Sequence, residues 1–212
     1  MEGSLESSCR SDLVRWLAEL FADCRPGDRG DQCSSIVEPP KDSLLRNLMA
    51  EARTAPPRIP ANLADVSSLD GIVQALYESV SFSPGTQPNF DRLRSLFHPE
   101  GRLTPPKDER EKTLLVLDVE TFIKRSWEYL VITGLERKGF CEVEVARRTH
   151  AFRNIVHLFS TYESRHSPTD RVPIQRGINS IQLVKDLNRW WAVSIVWDVE
   201  DADNPIPEAF LV

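Results

Sequence analysis

The hydrophobic period changes once along this chain, and that change constrains the fold more than any other feature. From Ser67 to Leu130 apolar residues recur at helical spacing; from Gly139 onward they recur every second residue. Leu69, Ile72, Val73, Leu76 and Val80 make the first stripe, with Tyr77 at its edge. Ser67, with Asp70 three residues on, has the pattern of a capping box, and Pro84-Gly85 ends the helix. Asn89 is placed to cap a shorter helix carrying Phe90, Leu93, Leu96 and Phe97, with His98-Pro99 as its stop. Gly101-Arg102-Leu103-Thr104 then leads into a polar loop, and Asp118 is placed to cap a third helix aligning Ile123, Trp127 and Leu130. Strands follow: Cys141, Val143 and Val145 alternate with Glu142 and Glu144, and further strands are read at Asn154–Ser164, Gly177–Lys185 and Trp190–Glu200. Asp186-Leu187-Asn188-Arg189 joins the last two as a hairpin. The expectation is an α+β domain of three helices followed by an antiparallel sheet. Apolar residues on both strand faces imply that one face covers the helices and the other meets a second subunit, making a homodimer through the sheet.

Residues 1–64 read differently. Leu13, Trp16, Leu17, Leu20 and Phe21 form one amphipathic helix, and Leu44, Leu45, Leu48, Met49 and Ala52 a second. A loop rich in Gly, Asp, Ser and Pro separates them, and Ala55-Pro56-Pro57-Arg58-Ile59-Pro60 is a stiff linker. The expected division is therefore a helical, partly disordered extension over 1–64 and the main domain over 65–212. The two helices of the extension either dock on the main domain, bind a partner or stay partly disordered.

Charge and motifs narrow the function classes. With 26 basic and 32 acidic side chains, the net charge of −6 lacks the positive field that nucleic-acid backbones require. No apolar run approaches a membrane span, and the start MEGSLESSCRSDLV carries no apolar signal stretch, so a cytoplasmic location is expected. Cys9, Cys24, Cys33 and Cys141 show no C-x-x-C spacing, so free thiols are expected rather than a zinc site. Glycine-rich phosphate loops, H-E-x-x-H, G-x-S-x-G and EF-hand patterns are missing, and neither a metal nor a cofactor is expected.

His157, mid-strand and sharing a face with Ile155 and Phe159, is a candidate acid or base and, with Asn179, a candidate ligand contact, or else a hydrogen-bonded core or interface histidine. Asp198 beside Trp197 is a candidate general base, or simply the start of a solvated acidic strand end. Asn179, Ser180 and Gln182 interrupt an apolar strand; Asn179 is the preferred ligand contact. Tyr77, Trp127 and Trp197 supply aromatic surface for a hydrophobic ligand, while core packing accounts for most such rings. On the last strand the bulkier face, Trp191, Val193, Ile195 and Trp197, is assigned to the interior. Arg147, Arg148 and Arg153, with Arg165, Arg171 and Arg176, either grip an anion or form a solvated rim.

Ile72–Phe97, running into the pattern D-x-L-x-x-L-F-x-P-x-G, together with Phe159–Arg165, Arg176–Leu183, Arg189-Trp190-Trp191 and Asn204-Pro205-Ile206-Pro207, resembles the nuclear transport factor 2-like superfamily. The likeness covers about residues 67–208 and points to an uncharacterised bacterial branch, beside polyketide-cyclase-like (SnoaL-like) and ketosteroid-isomerase-like members. The resemblance implies a cone-shaped barrel with an apolar pocket at its wide end, where the superfamily's enzymes use a carboxylate or histidine as acid or base. No catalytic set of such enzymes aligns onto these residues. The expected function is a dimeric module binding a small apolar molecule; the alternative is a cofactor-independent isomerase, cyclase or dehydratase acting next to a carbonyl. A third possibility is an adaptor acting through the N-terminal helices.

Overall fold

A computed structural model describes residues 59–107 and 113–212. The two helices and most of the linker expected before residue 59 lie outside the described residues, as do Cys9, Cys24 and Cys33. The elements are α1 (Leu63–Val66), α2 (Leu69–Val80), α3 (Phe90–Leu96), β1 (Phe97–Thr104), α4 (Val119–Thr133), α5 (Leu135–Lys138), β2 (Cys141–Phe152), β3 (Ile155–Arg165), β4 (Gln175–Asp186) and β5 (Arg189–Val199), then a 3-10 turn at Glu208–Phe210.

The helix caps follow from side-chain oxygens that satisfy the first free N–H groups. Asn89 accepts from Arg92 N at 3.0 Å and Asp118 from Thr121 N at 2.7 Å, as their positions predict. The cap of α2 is Ser68, whose Oγ accepts from Gly71 N at 3.0 Å. Ser67 is one residue early because it already closes the preceding turn, its N–H donating to Leu63 O. An Arg92 fork holds Asp65 at 2.8 and 2.9 Å, tying α1 to α3.

Five strands form one mixed sheet in the order β1-β5-β4-β3-β2. The expected antiparallel sheet is corrected by β1, which pairs parallel with β5. In sequence, His98-Pro99 reads as a helix stop and the next residues as the approach to a loop. Proline has no N–H to donate, which disqualifies it from a central strand but not from an edge. The pairing jumps from Phe97↔Ala192 to Arg102↔Ser194, leaving Pro99 in the irregular stretch between. A Cβ on Gly101 would stand 2.8 Å from the Phe97 ring and 2.9 Å from His98 O, so a glycine allows this kink.

The core lies between one sheet face and the helices. Ile72, Val73, Leu76 and Tyr77 of α2 and Leu93 and Leu96 of α3 meet Val156, Leu158 and Tyr162, Ile181 and Leu183, and Trp190, Ala192 and Ile195. Two bulges decide which side chains face inward. On β2 the register jumps between Glu144 and Ala146, so Val145 is unpaired. On β5 it jumps past Val193. Ile195 and Trp197 therefore point inward as expected, but Trp190 and Ala192 replace Trp191 and Val193. Trp191 packs on the other face, with the Arg189 guanidinium 3.3 Å over its ring and the His98 ring at 6.1 Å. A bulge reverses parity beyond itself, which alternation alone does not reveal.

The turn between β2 and β3 is Arg153-Asn154, so His150 is a strand residue rather than part of a hairpin end. The second sheet face is partly covered by the chain's own 3-10 turn: the Phe210 ring lies 5.3 Å from Phe159, and Thr161 donates to Phe210 O at 2.6 Å.

Gly177 sits where β4 runs closest to an inward side chain. A Cβ there would lie 2.6 Å from the Tyr162 hydroxyl and in collision with Asp198 O. Overpacking of this kind predicts that Gly177→Ala lowers the unfolding free energy by about 2 kcal/mol, read from urea denaturation.

Candidate functional site

The inward face carries a band of polar groups among the apolar core residues. In register, Ser160 pairs with Asn179, and Asn179 with Trp197. The α2 stripe brings Tyr77 over this band. Its hydroxyl lies 2.7 Å from Ser160 Oγ and accepts from Asn179 Nδ2 at 3.1 Å. Ser160 also donates to Glu144 Oε1. The Arg147 guanidinium grips Glu144 from the other side at 2.8 Å and reaches Asp70 at 2.7 Å. A half-buried aromatic wall adjoins the band, with Trp197 edge-on to Phe122 at 5.9 Å.

Two further oxygens on this face differ from the rest. Glu142, opposite Ser164, and Tyr162, opposite Glu144, are diagonal neighbours on β2 and β3. Neither the Glu142 carboxyl nor the Tyr162 hydroxyl has a hydrogen-bond partner among the described residues. Both face the core side of the sheet, on the same side as the Tyr77–Asn179 pair. Glu142 keeps accessible surface yet is enclosed by protein, and desolvation by that burial pushes its carboxyl up from the ordinary 4.5 to about 8. Burial likewise holds the Tyr162 hydroxyl above its ordinary range, with the Glu142 charge adding to the effect. Both shifts favour the protonated forms, which can donate hydrogen bonds.

The residues singled out from sequence separate into two sets. Tyr77, Asn179 and Trp197 come together on the inward face. Trp127 is half-buried on α4, on the stripe of Ile123 and Leu130. His157 lies on the outward face, opposite Gln182, with Nε2 2.9 Å from Ser180 Oγ and its ring 4.6 Å from Phe159. It shares no face with Asn179, and the idea that both contact one ligand is corrected by strand parity. Asp198 is exposed on the outward side, its Oδ1 accepting from the next residue's N–H at 2.8 Å. It lies at the exposed strand end, on the face opposite Asn179 and Trp197. A shallow groove of about 260 Å³ near the β2–β3 turn includes His150, Phe152, Ile155, His157 and Gln182. Of the arginines, Arg147, Arg165 and Arg176 are engaged with Glu144, Glu163 and Glu200.

Glu142 and Tyr162 are not among the residues singled out from sequence. Alternation places Glu142 and Glu144 opposite Val143 and Val145 without saying which pair faces in. The structure turns the glutamates inward and leaves Val143 and Val145 38% and 46% exposed. No group of three or more His, Cys, Asp or Glu side chains suited to a metal occurs among the described residues. No helix among them is long and apolar enough to cross a membrane.

No protein-family model matches the chain, and no curated protein matches it. Among solved structures it is similar to an NTF2-like protein of unknown function from Silicibacter pomeroyi, at 15% identity over 72% of this chain and 98% of that one, with TM-score 0.39. It is also similar to an uncharacterized protein with a cystatin-like fold from Caulobacter vibrioides, at 11% identity over 64% and 89%, with TM-score 0.46. An NTF2-like protein of unknown function from Shewanella baltica is similar at 13% identity over 62% and 92%, with TM-score 0.39. These neighbours are described as NTF2-like and cystatin-like proteins.

The Glu142 shift has a thermodynamic sign. The unfolded chain releases this proton near pH 4.5 and the folded chain near pH 8, so folding takes up a proton between those values. Stability then falls as pH rises through that window and levels off above it. Glu142→Gln removes this contribution. At pH 9 the variant is expected to exceed the parent by on the order of 3 kcal/mol, with the advantage vanishing at pH 4, as read by urea melts across that range.

Proposed function

We propose that this domain binds a small, largely apolar molecule bearing a carbonyl or hydroxyl oxygen in a recess on the inward face, beside Glu142, Tyr162 and Asn179. The observation that carries this reading is the pair Glu142 and Tyr162 on the core face, neither with a side-chain hydrogen-bond partner among the described residues. An unpaired buried donor costs free energy, and a ligand oxygen accepting from both would offset it. Trp197 and Phe122 supply the apolar contact that such a molecule needs. Native mass spectrometry of the purified chain is expected to show a retained small molecule of this kind, lost in Tyr162→Phe/Glu142→Leu. A chain that carries nothing, and whose melting temperature no aryl or alicyclic ketone raises, would refute the proposal.

The ionisable group in the recess favours a second reading, a cofactor-independent isomerase, cyclase or dehydratase acting beside a carbonyl. Once ionised, Glu142 would take the proton from the α carbon onto its oxygen. The C–H electron pair would pass into the carbonyl to give an enolate, whose oxygen accepts from the Tyr162 O–H. Exchange of α hydrogens of a bound ketone in deuterated water, followed by NMR, is expected to rise toward pH 8 and level off. An exchange rate unchanged in Glu142→Gln would exclude this chemistry.

The outward face supports association with a second copy. Val143, Ile155 and Val196 share that face at 38%, 55% and 44% exposed, next to the strip that Phe210 covers. Light scattering is expected to give twice the chain mass for the parent and the single chain mass for Ile155→Glu/Val196→Glu. A monomeric parent would remove this part of the proposal.

A further inference from the structure

The hydrogen bonds between Arg147 and Asn179 form an unbranched chain whose direction follows from proton count. Arg147 donates to Glu144 through Nε and a terminal nitrogen, so Glu144 is an ionised carboxylate that only accepts. Ser160 has one hydroxyl proton, and contact with that carboxylate commits it to Glu144. The 2.7 Å contact between Tyr77 and Ser160 needs a proton, and only Tyr77 can supply it. The Tyr77 oxygen must then accept from Asn179, which turns the amide nitrogen toward Tyr77 at 3.1 Å. The opposite amide orientation would set two proton-less oxygens against each other. The orientation therefore follows from chemistry and does not depend on telling the amide oxygen from its nitrogen.

Two consequences follow for the recess. The Tyr77 hydroxyl is fully engaged and has no proton left for a ligand. The Asn179 carbonyl oxygen, with no partner among the described residues, becomes the acceptor in a recess whose other free groups are the donors Glu142 and Tyr162. Asn179 stands opposite half-buried Trp197, so the acceptor lies at the aromatic wall.

We propose that Arg147, acting through Glu144, Ser160 and Tyr77 as positioning residues, makes the recess require a hydrogen-bond donor from its ligand at Asn179. The inference rests on the small-molecule reading above and adds a polarity rule to it. A fitting ligand carries an O–H or N–H as well as an acceptor oxygen, as hydroxylated aromatic or alicyclic compounds do. A ligand that only accepts leaves the Asn179 oxygen buried and unpaired.

The test compares two probes of similar shape, 2-naphthol, which donates and accepts, and 2-methoxynaphthalene, which only accepts. Isothermal titration calorimetry on the full chain is expected to give 2-naphthol about a tenfold lower Kd, roughly the worth of one hydrogen bond in a buried site. Asn179→Leu removes the acceptor, and the ratio of the two constants should fall to about one or below. Glu144→Gln keeps the size but lets position 144 donate to Ser160, so the chain direction is no longer forced and the ratio should also collapse. Thermal melts identify a variant that fails to fold, and the other then decides. Equal binding of both probes to the parent, or a preference unchanged in the folded variants, overturns the polarity rule while leaving the small-molecule reading intact. Binding of neither probe overturns both.

Discussion

The hydroxyl of Tyr77 is buried 83 positions in sequence from its partner Ser160, and the need to satisfy it sets the register of helix against sheet. A phenol in an apolar core costs more unpaired than a typical hydrogen bond returns, so the geometry that pairs it is strongly preferred. Its two partners stand side by side on adjacent strands, Ser160 on β3 and Asn179 on β4. Sliding α2 by one turn along the sheet would break both bonds at once. With α2 held there, Ile72, Val73 and Leu76 meet the sheet, and the polar band is brought beneath the helix rather than left at an edge. The same bonds connect the interior to Arg147 and Asp70 at the surface.

This arrangement separates two kinds of buried polar group. Tyr77, Ser160 and Glu144 satisfy one another and rigidify the core, which explains the survival of polar residues there. Glu142 and Tyr162 do not, and their cost has no structural return within the described residues. Partnerless groups of this kind are expected at binding or catalytic sites, where a ligand completes them. The two sets lie within a few residues of each other on the same strands. The satisfied set can thus fix the orientation of a side chain, Asn179, that borders the unsatisfied one.

Much of the fold was legible because it depends on local rules. Periodicity placed α2, α3, α4 and the four long strands, and Asn89 and Asp118 announced their helices through side chains suited to capping. The miss at β1 has a local cause too. Pro99 and Gly101 read as breakers, and only an edge position in parallel pairing with β5 makes them tolerable. The candidate site was half legible: Asn179 stood out as an amide in an apolar strand, and Tyr77 as a polar edge on an apolar stripe. His157 and Asp198 had equally good chemistry in sequence, and parity already separated Asp198 from Trp197. Their distance from the recess could not be seen, because the face that a strand buries depends on where the helices land.

What the sequence determined by itself was the order and type of the elements from α2 onward, since hydrophobic period and capping chemistry act over a few residues. What only the tertiary structure decided was orientation. The bulges at Val145 and Val193 set which residues turn inward, exchanging Trp191 for Trp190, and the inward turn of Glu142 leaves the neighbouring valines exposed. A one-residue bulge costs little locally yet reverses every side chain beyond it, and its cost is offset only by packing against residues far away in the chain. For that reason the grouping of Glu142 and Tyr162 with Tyr77, Ser160 and Asn179 on one face exists only in the folded molecule.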